Sequence, residues 1–133
     1  MFGSFDISTS ALTAQRTRLD TIASNIANIN STVGADGKGP YRRLFTEFQS
    51  QRTPNGGPGV RVSRIGEDYE TAFPEKYEPG NRLADERGYV KYPNVDLSTE
   101  MVNAMEATRA YEANITAIET TKSMIGSTMR LLG

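Results

Sequence analysis

Neither cysteine nor histidine occurs among the 133 residues. The first absence excludes disulfides and thiolate metal sites. The second removes the commonest general base near neutral pH and the commonest metal ligand. Long hydrophobic runs are missing too: no stretch approaches the roughly 18 consecutive apolar residues that would span a bilayer. The opening Met1-Phe2-Gly3-Ser4-Phe5-Asp6 has neither the basic flank nor the apolar run of a signal peptide. Nor is there an excess of one charge. Fifteen basic and 16 acidic residues leave a net charge of −1, so nucleic-acid binding has little electrostatic support. Apolar residues make up 37% of the chain and mean hydropathy is −0.50, below the usual share for a globular domain. These absences predict a chain made in the cytoplasm with no integral membrane segment; if it works outside the cytoplasm, it leaves by a route without a cleaved signal.

What is present is a hydrophobic stripe at each end. Phe5, Leu12, Leu19 and Ile26 recur every seventh residue, with Ile22 and Ile29 at the alternate position. Near the other terminus Leu97, Ala104, Tyr111, Ile118, Ile125 and Leu132 form an unbroken seven-residue series, with Met101, Ile115 and Met129 between its members. Alternating three- and four-residue spacing places these groups along one seam of a helix, and that seam needs a partner. The first helix is expected to start between Asp6 and Ser10 and to run to about Asn30, with Gly34 beyond it as a stop. Ala11, Ala14, Ala23 and Ala27 flank its seam. The second is expected from about Ser98 to Leu131, capped by Asp96 to Thr99, with Glu100 well placed in the first turn against the helix dipole. Their lengths are about 35 Å and about 51 Å, so an antiparallel pair leaves several turns of the second helix uncovered.

Between the stripes no helical period is found. Tyr41 to Phe48 reads as strand or loop, and Thr53-Pro54-Asn55-Gly56-Gly57-Pro58-Gly59 as a turn. Val60 to Ile65 alternates as a strand with one buried face, and Thr71 to Pro79 is extended or irregular. Tyr89 to Pro93 reads as another short strand. The predicted fold is mainly α with a small β-rich insert: an N-terminal axial helix (1–33), a loop-rich insert (34–95) and a C-terminal axial helix (96–133), the helices packing as a coiled-coil-like pair.

Catalytic candidates are few. Glu67-Asp68, Glu70 and Asp85-Glu86 are carboxylates without flanking apolar pocket residues, and read as solvated loop charge. The Gly56–Gly59 run lacks the Gly-Lys-Ser/Thr ending that phosphate binding requires. Tyr41-Arg42-Arg43 reads as an inter-subunit ion pair or a loop anchor. Tyr69, Tyr77, Tyr89 and Tyr92 are expected to fill a thin core or an interface. Thr108 and Lys122 interrupt the second seam, and Gly126 weakens that helix by about 1 kcal/mol relative to alanine. No residue suggests a cofactor or metal site. A non-enzymatic assembly element is the leading reading. A coiled-coil adaptor and a small carboxylate hydrolase remain as alternatives on the residues alone.

Ser24-Asn25-Ile26-Ala27-Asn28 resembles the N-terminal signature of the bacterial flagellar rod and hook axial proteins. Gly39-Pro40-Tyr41-Arg42-Arg43, Gly88-Tyr89-Val90-Lys91-Tyr92-Pro93-Asn94-Val95, Glu100-Met101-Val102 and Ala110-Tyr111-Glu112-Ala113-Asn114 narrow the resemblance to the proximal rod members of that family, with other rod or hook-junction subunits as the alternative. Two stretches depart from it. Asn81-Arg82-Leu83-Ala84-Asp85 stands where a His-Pro-x-Ala-Asp segment is common, and Leu44 follows the arginine pair where lysine is common. The resemblance implies a structural subunit exported unfolded by the flagellar type III apparatus. It further implies assembly with copies of itself and other rod proteins into a hollow, torque-bearing rod across the periplasm, with termini loose until docked. The expected assembly interface is Phe5, Leu12, Leu19, Ile22, Asn25, Ile26, Asn28, Ile29, Leu97, Met101, Tyr111, Asn114, Ile115, Ile118, Ile125, Met129 and Leu132.

Overall fold

A computed structural model describes residues 2–34 and 37–133. Its elements in chain order are α1 (Phe2–Ala27), β1 (Leu44–Arg52), β2 (Pro58–Glu67), β3 (Glu75–Tyr77), β4 (Tyr89–Lys91) and α2 (Leu97–Leu132). The mainly helical architecture with a small β insert is the one the stripes imply. Helix α1 is the middle layer, packing against α2 and against both strands of the β1–β2 hairpin.

The first helix begins at Phe2, about a turn or more before the candidate caps. Those side chains do not cap. Thr9 Oγ1 donates to the Phe5 carbonyl at 2.8 Å, and Ser10 Oγ donates to that of Ile7 at 2.8 Å. A hydroxyl bonded back to the preceding turn leaves the helix intact. The other end comes early, at Ala27. Asn28 Nδ2 donates to the Ser24 carbonyl and Ser31 Oγ to Asn28 Oδ1, closing a turn ahead of Gly34. Helix α2 matches its expected span to within a residue. The Asp96 side chain accepts from the Ser98 N–H at 3.1 Å and from Thr99 Oγ1 at 2.9 Å, satisfying donors at the helix start.

The helices run antiparallel: Asn25 meets Glu100, and further back Arg18 meets Glu106. Apart from Ile22, the apolar residues fully buried on the two helices are small, and the larger seam members Tyr111, Ile118 and Ile125 are half-buried. Ala14 and Ala107 are buried, as are Ser8, Thr21 and Thr121. Thr21 Oγ1 donates to the Thr17 carbonyl and Thr121 Oγ1 to that of Ala117, both at 2.9 Å, so these buried hydroxyls are satisfied within their own helices. On α2 the inward series is Glu100, Ala104, Ala107, Tyr111, Asn114, Ile118, Thr121 and Ile125, all buried or half-buried. The heptad members 104, 111, 118 and 125 agree with the sequence pattern. The alternate set is 100, 107, 114 and 121 instead of Met101, Ile115 and Met129, which are exposed. Close helix approach favours small side chains at the contact and turns larger ones to its flanks.

Strands β1 and β2 pair antiparallel from Leu44↔Glu67 to Arg52↔Pro58. Between Glu47 and Phe48 the register slips, so that Ser63 is the extra residue of a bulge. A bulge reverses the side-chain alternation beyond it, and Ile65 is exposed against the single-buried-face expectation. The phenyl ring of Phe45 lies over its cross-strand partner Gly66, where an added Cβ would stand 2.7 Å from the ring. The hairpin turn holds Gly56 at φ 82°, a left-handed conformation that favours glycine. The hairpin lies along α1 from end to end. Leu44 bonds to Asn25, the Val60 N–H donates to Ser10 Oγ at 3.1 Å, and Asn55 Nδ2 donates to Asp6 at 3.0 Å.

The extended stretch from Thr71 contributes β3, which pairs with β4 through Glu75↔Lys91, Lys76↔Val90 and Tyr77↔Tyr89. Val90 of β4 is buried, as are Pro93, Asn94 and Val95 just after it. Tyr69, Tyr77 and Tyr89 are exposed and do not fill a core, whereas Tyr92 is half-buried with its hydroxyl donating to Glu78 at 2.8 Å. Tyr77 and Tyr89 pack against each other with their rings tilted by 60° and their centroids 5.3 Å apart.

Candidate assembly interface

The best-buried large side chains include Glu100 and Asn25, both 0% exposed. They meet where α1 ends and α2 begins. The Asn25 amide does what a neighbouring strand would do for Leu44: Nδ2 donates to the Leu44 carbonyl and Oδ1 accepts from its N–H, both at 2.8 Å. Oδ1 also accepts from the Tyr41 hydroxyl at 2.9 Å, and Nδ2 donates to Glu100 Oε2 at 3.2 Å. Both donors and both acceptor positions of the amide are used. The second Glu100 oxygen accepts from Arg43 Nε. The Arg43 main-chain N–H donates to Asn94 Oδ1 at 2.8 Å, and Asn94 Nδ2 donates to the carbonyls of Asp68 and Thr71 at 3.0 Å. Burial holds the Tyr41 hydroxyl above the ordinary phenol range, with the Ser24 hydroxyl beside it acting in the opposite direction. The phenol therefore stays protonated and keeps donating.

Asn25, Tyr41, Arg43, Asn94 and Glu100 come from four of the segments that carry the family resemblance. Their polar atoms are used on one another, which makes this a clasp joining the insert to both helices. Arg43 thus pairs inside the chain. Arg42 anchors its loop: its guanidinium lies 4.3 Å from the Tyr69 ring centroid and 4.5 Å from that of Phe73.

The loop carboxylates hold turns. Asp68 accepts from the Thr71 and Glu70 N–H groups, and Asp85 from those of Tyr89 and Arg87. Backbone donation, from Thr71 and from Tyr89 respectively, holds both carboxyls below their usual range. A depressed folded-state pKa means the unfolded chain takes up the proton first. The stabilisation is therefore present above the unfolded value and lost as pH falls below about 4 towards the folded values. Amide exchange at residues 70, 71, 87 and 89 is expected to accelerate between pH 5 and 3 relative to the α1–α2 contact. A uniform response across the chain would count against these turns as acid-labile points.

Among the described residues no group of three His, Cys, Asp or Glu is placed to hold a metal ion, and no helix is long and apolar enough to cross a membrane.

Of the expected interface residues, Asn25 and Ile22 are buried within the chain. Leu12, Leu19, Ile26, Asn28, Ile29, Tyr111, Asn114, Ile118 and Ile125 are half-buried. Phe5, Leu97, Met101, Ile115, Met129 and Leu132 are exposed. Helix α2 leaves two apolar surfaces bare. One lies at the start of α2, where Leu97, Met101, Val102 and Met105 are 46%, 55%, 62% and 58% exposed. The other is the end of α2 beyond Thr121, its last buried residue, where Met129 and Leu132 are 67% and 84% exposed. Val102 and Met105 lay outside the heptad series, although their spacing from Leu97 and Met101 on a single helix could have revealed them. Glu100 and Arg43 were missed as partners because nothing local links them.

Comparison with known proteins places these features in a family. The family described as Flagella basal body rod protein matches residues 5–35, and that described as Flagellar basal body rod FlgEFG protein C-terminal matches residues 86–131. The flagellar basal-body rod protein FlgC of Salmonella typhimurium is 50% identical over 130 residues, covering 96% of this chain and 94% of that protein. The FlgC of Bacillus subtilis is 41% identical over 140 residues, covering 93% of each. That of Borreliella burgdorferi is 40% identical over 153 residues, covering 99% of this chain and 97% of its own. With two termini matching rod-protein families and near full-length identity at these levels, the chain belongs to the flagellar basal-body rod protein FlgC family.

Proposed function

We propose that this chain is a structural, non-catalytic subunit of the flagellar basal-body rod, polymerising through its terminal helices into a hollow shaft that carries torque from motor to hook. The observation that carries the reading is the apolar surface left bare on α2 in a chain of the FlgC family. Large exposed apolar patches mark interaction sites, and heterologous contacts that do not close on themselves generate helical assemblies. In this reading residues 1–33 and 96–133 are the axial segments and residues 34–95 the outward-facing insert. The partners are further copies and other rod proteins. The chain reaches the periplasmic rod through the type III export apparatus, without signal cleavage.

The interface residues divide into two roles. Ile22 and Asn25 hold the subunit together. Leu97, Met101, Ile115, Met129 and Leu132 are available to neighbours. Between them, Leu19 and Ile118 are half-buried, so Leu19→Asp or Ile118→Asp is expected to abolish rod assembly and swimming while leaving synthesis intact. Recovery of the wild-type chain in purified basal bodies, and loss of both variants from them, tests the reading. Normal swimming in both variants, or absence of the wild-type chain from basal bodies, would overturn it.

A further inference from the structure

The antiparallel pairing places the two bare surfaces at opposite ends of the subunit. Counting back in step from Asn25 beside Glu100, along helices of equal rise, α1 runs out near Ser123. Beyond that point α2 therefore continues without its partner for about 14 Å. Over that length Ile125 and Leu132 continue the heptad face that α1 covers lower down, and the exposed Met129 lies between them. At the opposite end, Leu97, Met101 and Met105 recur every fourth residue and form one bare ridge.

The charges of these ends are complementary. The segment from Lys122 to Leu132 carries Lys122 and Arg130 and no carboxylate, whereas Leu97 to Glu112 carries Glu100, Glu106 and Glu112 against Arg109. Glu100 is committed to Arg43, but Glu106 is open to solvent and meets Arg18 only at 3.6 Å. Aligned head to tail, the negative C-terminal end of one α2 also lies beside the positive N-terminal end of the next. Gly126 sits mid-segment with nothing within 4 Å of an added Cβ, leaving room for a backbone to approach.

Resting on the rod-subunit reading, we propose that the Lys122–Leu132 overhang of one copy docks on the Leu97–Met101–Met105 ridge of a second copy of this chain. Because the two surfaces differ and lie at opposite ends, the contact is heterologous and repeats without closing.

The absence of native cysteine makes the test clean. A chain carrying both Met101→Cys and Met129→Cys has its thiols about 42 Å apart along one helix, far beyond disulfide reach, so any bridge must join two copies. Oxidised basal bodies containing the double variant are expected to give a ladder of dimers and higher multimers. Each single variant is expected to give monomer only. In parallel, wild-type basal bodies treated with a zero-length carbodiimide cross-linker are expected to yield peptides joining Lys122 to Glu106 or Glu112. Within one helix these positions are about 24 Å and about 15 Å apart, so these joints too are between copies. Monomer alone from the double variant, together with no such joined peptides from wild-type basal bodies, overturns the docking while leaving the rod reading standing. A different rod subunit covering both surfaces would produce that result. Dimers from either single variant overturn it as well, because they indicate a symmetric contact. Absence of the wild-type chain from basal bodies overturns both.

Discussion

Glu100→Ala is expected to lower the unfolding free energy by about 3–5 kcal/mol, the usual cost of breaking a buried charge pair by removing one partner. The carboxylate is 0% exposed and accepts from Arg43 Nε and Asn25 Nδ2. With alanine in its place, the mostly buried Arg43 guanidinium loses its counter-charge and the Asn25 amide loses one of four bonds. Against a typical total of about 5–15 kcal/mol, such a loss leaves the subunit marginal. Glu100→Gln keeps one acceptor at nearly the same volume and is expected to cost less than alanine. Asn25→Ala strands the Leu44 peptide groups and leaves the Tyr41 hydroxyl with Ser24 alone. Because the residues share a bond, the double variant should lose less than the two single variants together. Urea unfolding of the purified chain, followed by circular dichroism, measures all four. A Glu100→Ala midpoint unchanged from wild type would mean that the clasp does not hold the insert to the helices.

The second large effect separates assembly from folding. Met129→Asp combined with Leu132→Asp is expected to abolish incorporation into the rod, and swimming with it. Neither side chain is covered by the rest of the chain. Exposed substitutions usually change stability by no more than about 0.5 kcal/mol, and a negative charge near a helix C-terminus adds about 0.3–1 kcal/mol of destabilisation. The isolated variant should therefore unfold close to wild type while failing in the cell. Burying such residues stabilises a contact by about 1.5–3 kcal/mol per side chain, and each subunit in a continuous assembly loses it. Motility and basal-body content, read beside the unfolding curve of the same variant, test this. Swimming at wild-type speed would show that the overhang is not an assembly surface.

Much of this was legible from residues alone. The Asp96 cap and the apolar heptads mark α2 to within a residue at each end. The glycine- and proline-rich run at 53–59 marks the hairpin turn, because its backbone demands are local. The start of α1 was misjudged because serine and threonine serve either as caps or as back-bonded helix residues, and the choice depends on what precedes them. Here an unbroken Phe2–Ile7 stretch is helical, and the hydroxyls bond inwards to it.

The seam shows where local pattern stops. A heptad with Ala104, Tyr111, Ile118 and Ile125 can be completed by the residues three before or three after, and hydrophobicity favours Met101 and Ile115. The tertiary structure chose Glu100, Ala107, Asn114 and Thr121 instead. Small side chains on α1 allow close approach only to small ones on α2, and the carboxylate finds partners only at long range. Arg43 lies 57 residues before Glu100, and Asn25 lies 75 before it. Turning and capping are properties of a few adjacent residues, so the sequence by itself determined where α2 and the hairpin turn lie and that α2 outruns α1. Which face turns inward is a property of pairs distant in the chain. Only the folded chain could bury a charge between its ends and, in doing so, leave the methionines outside.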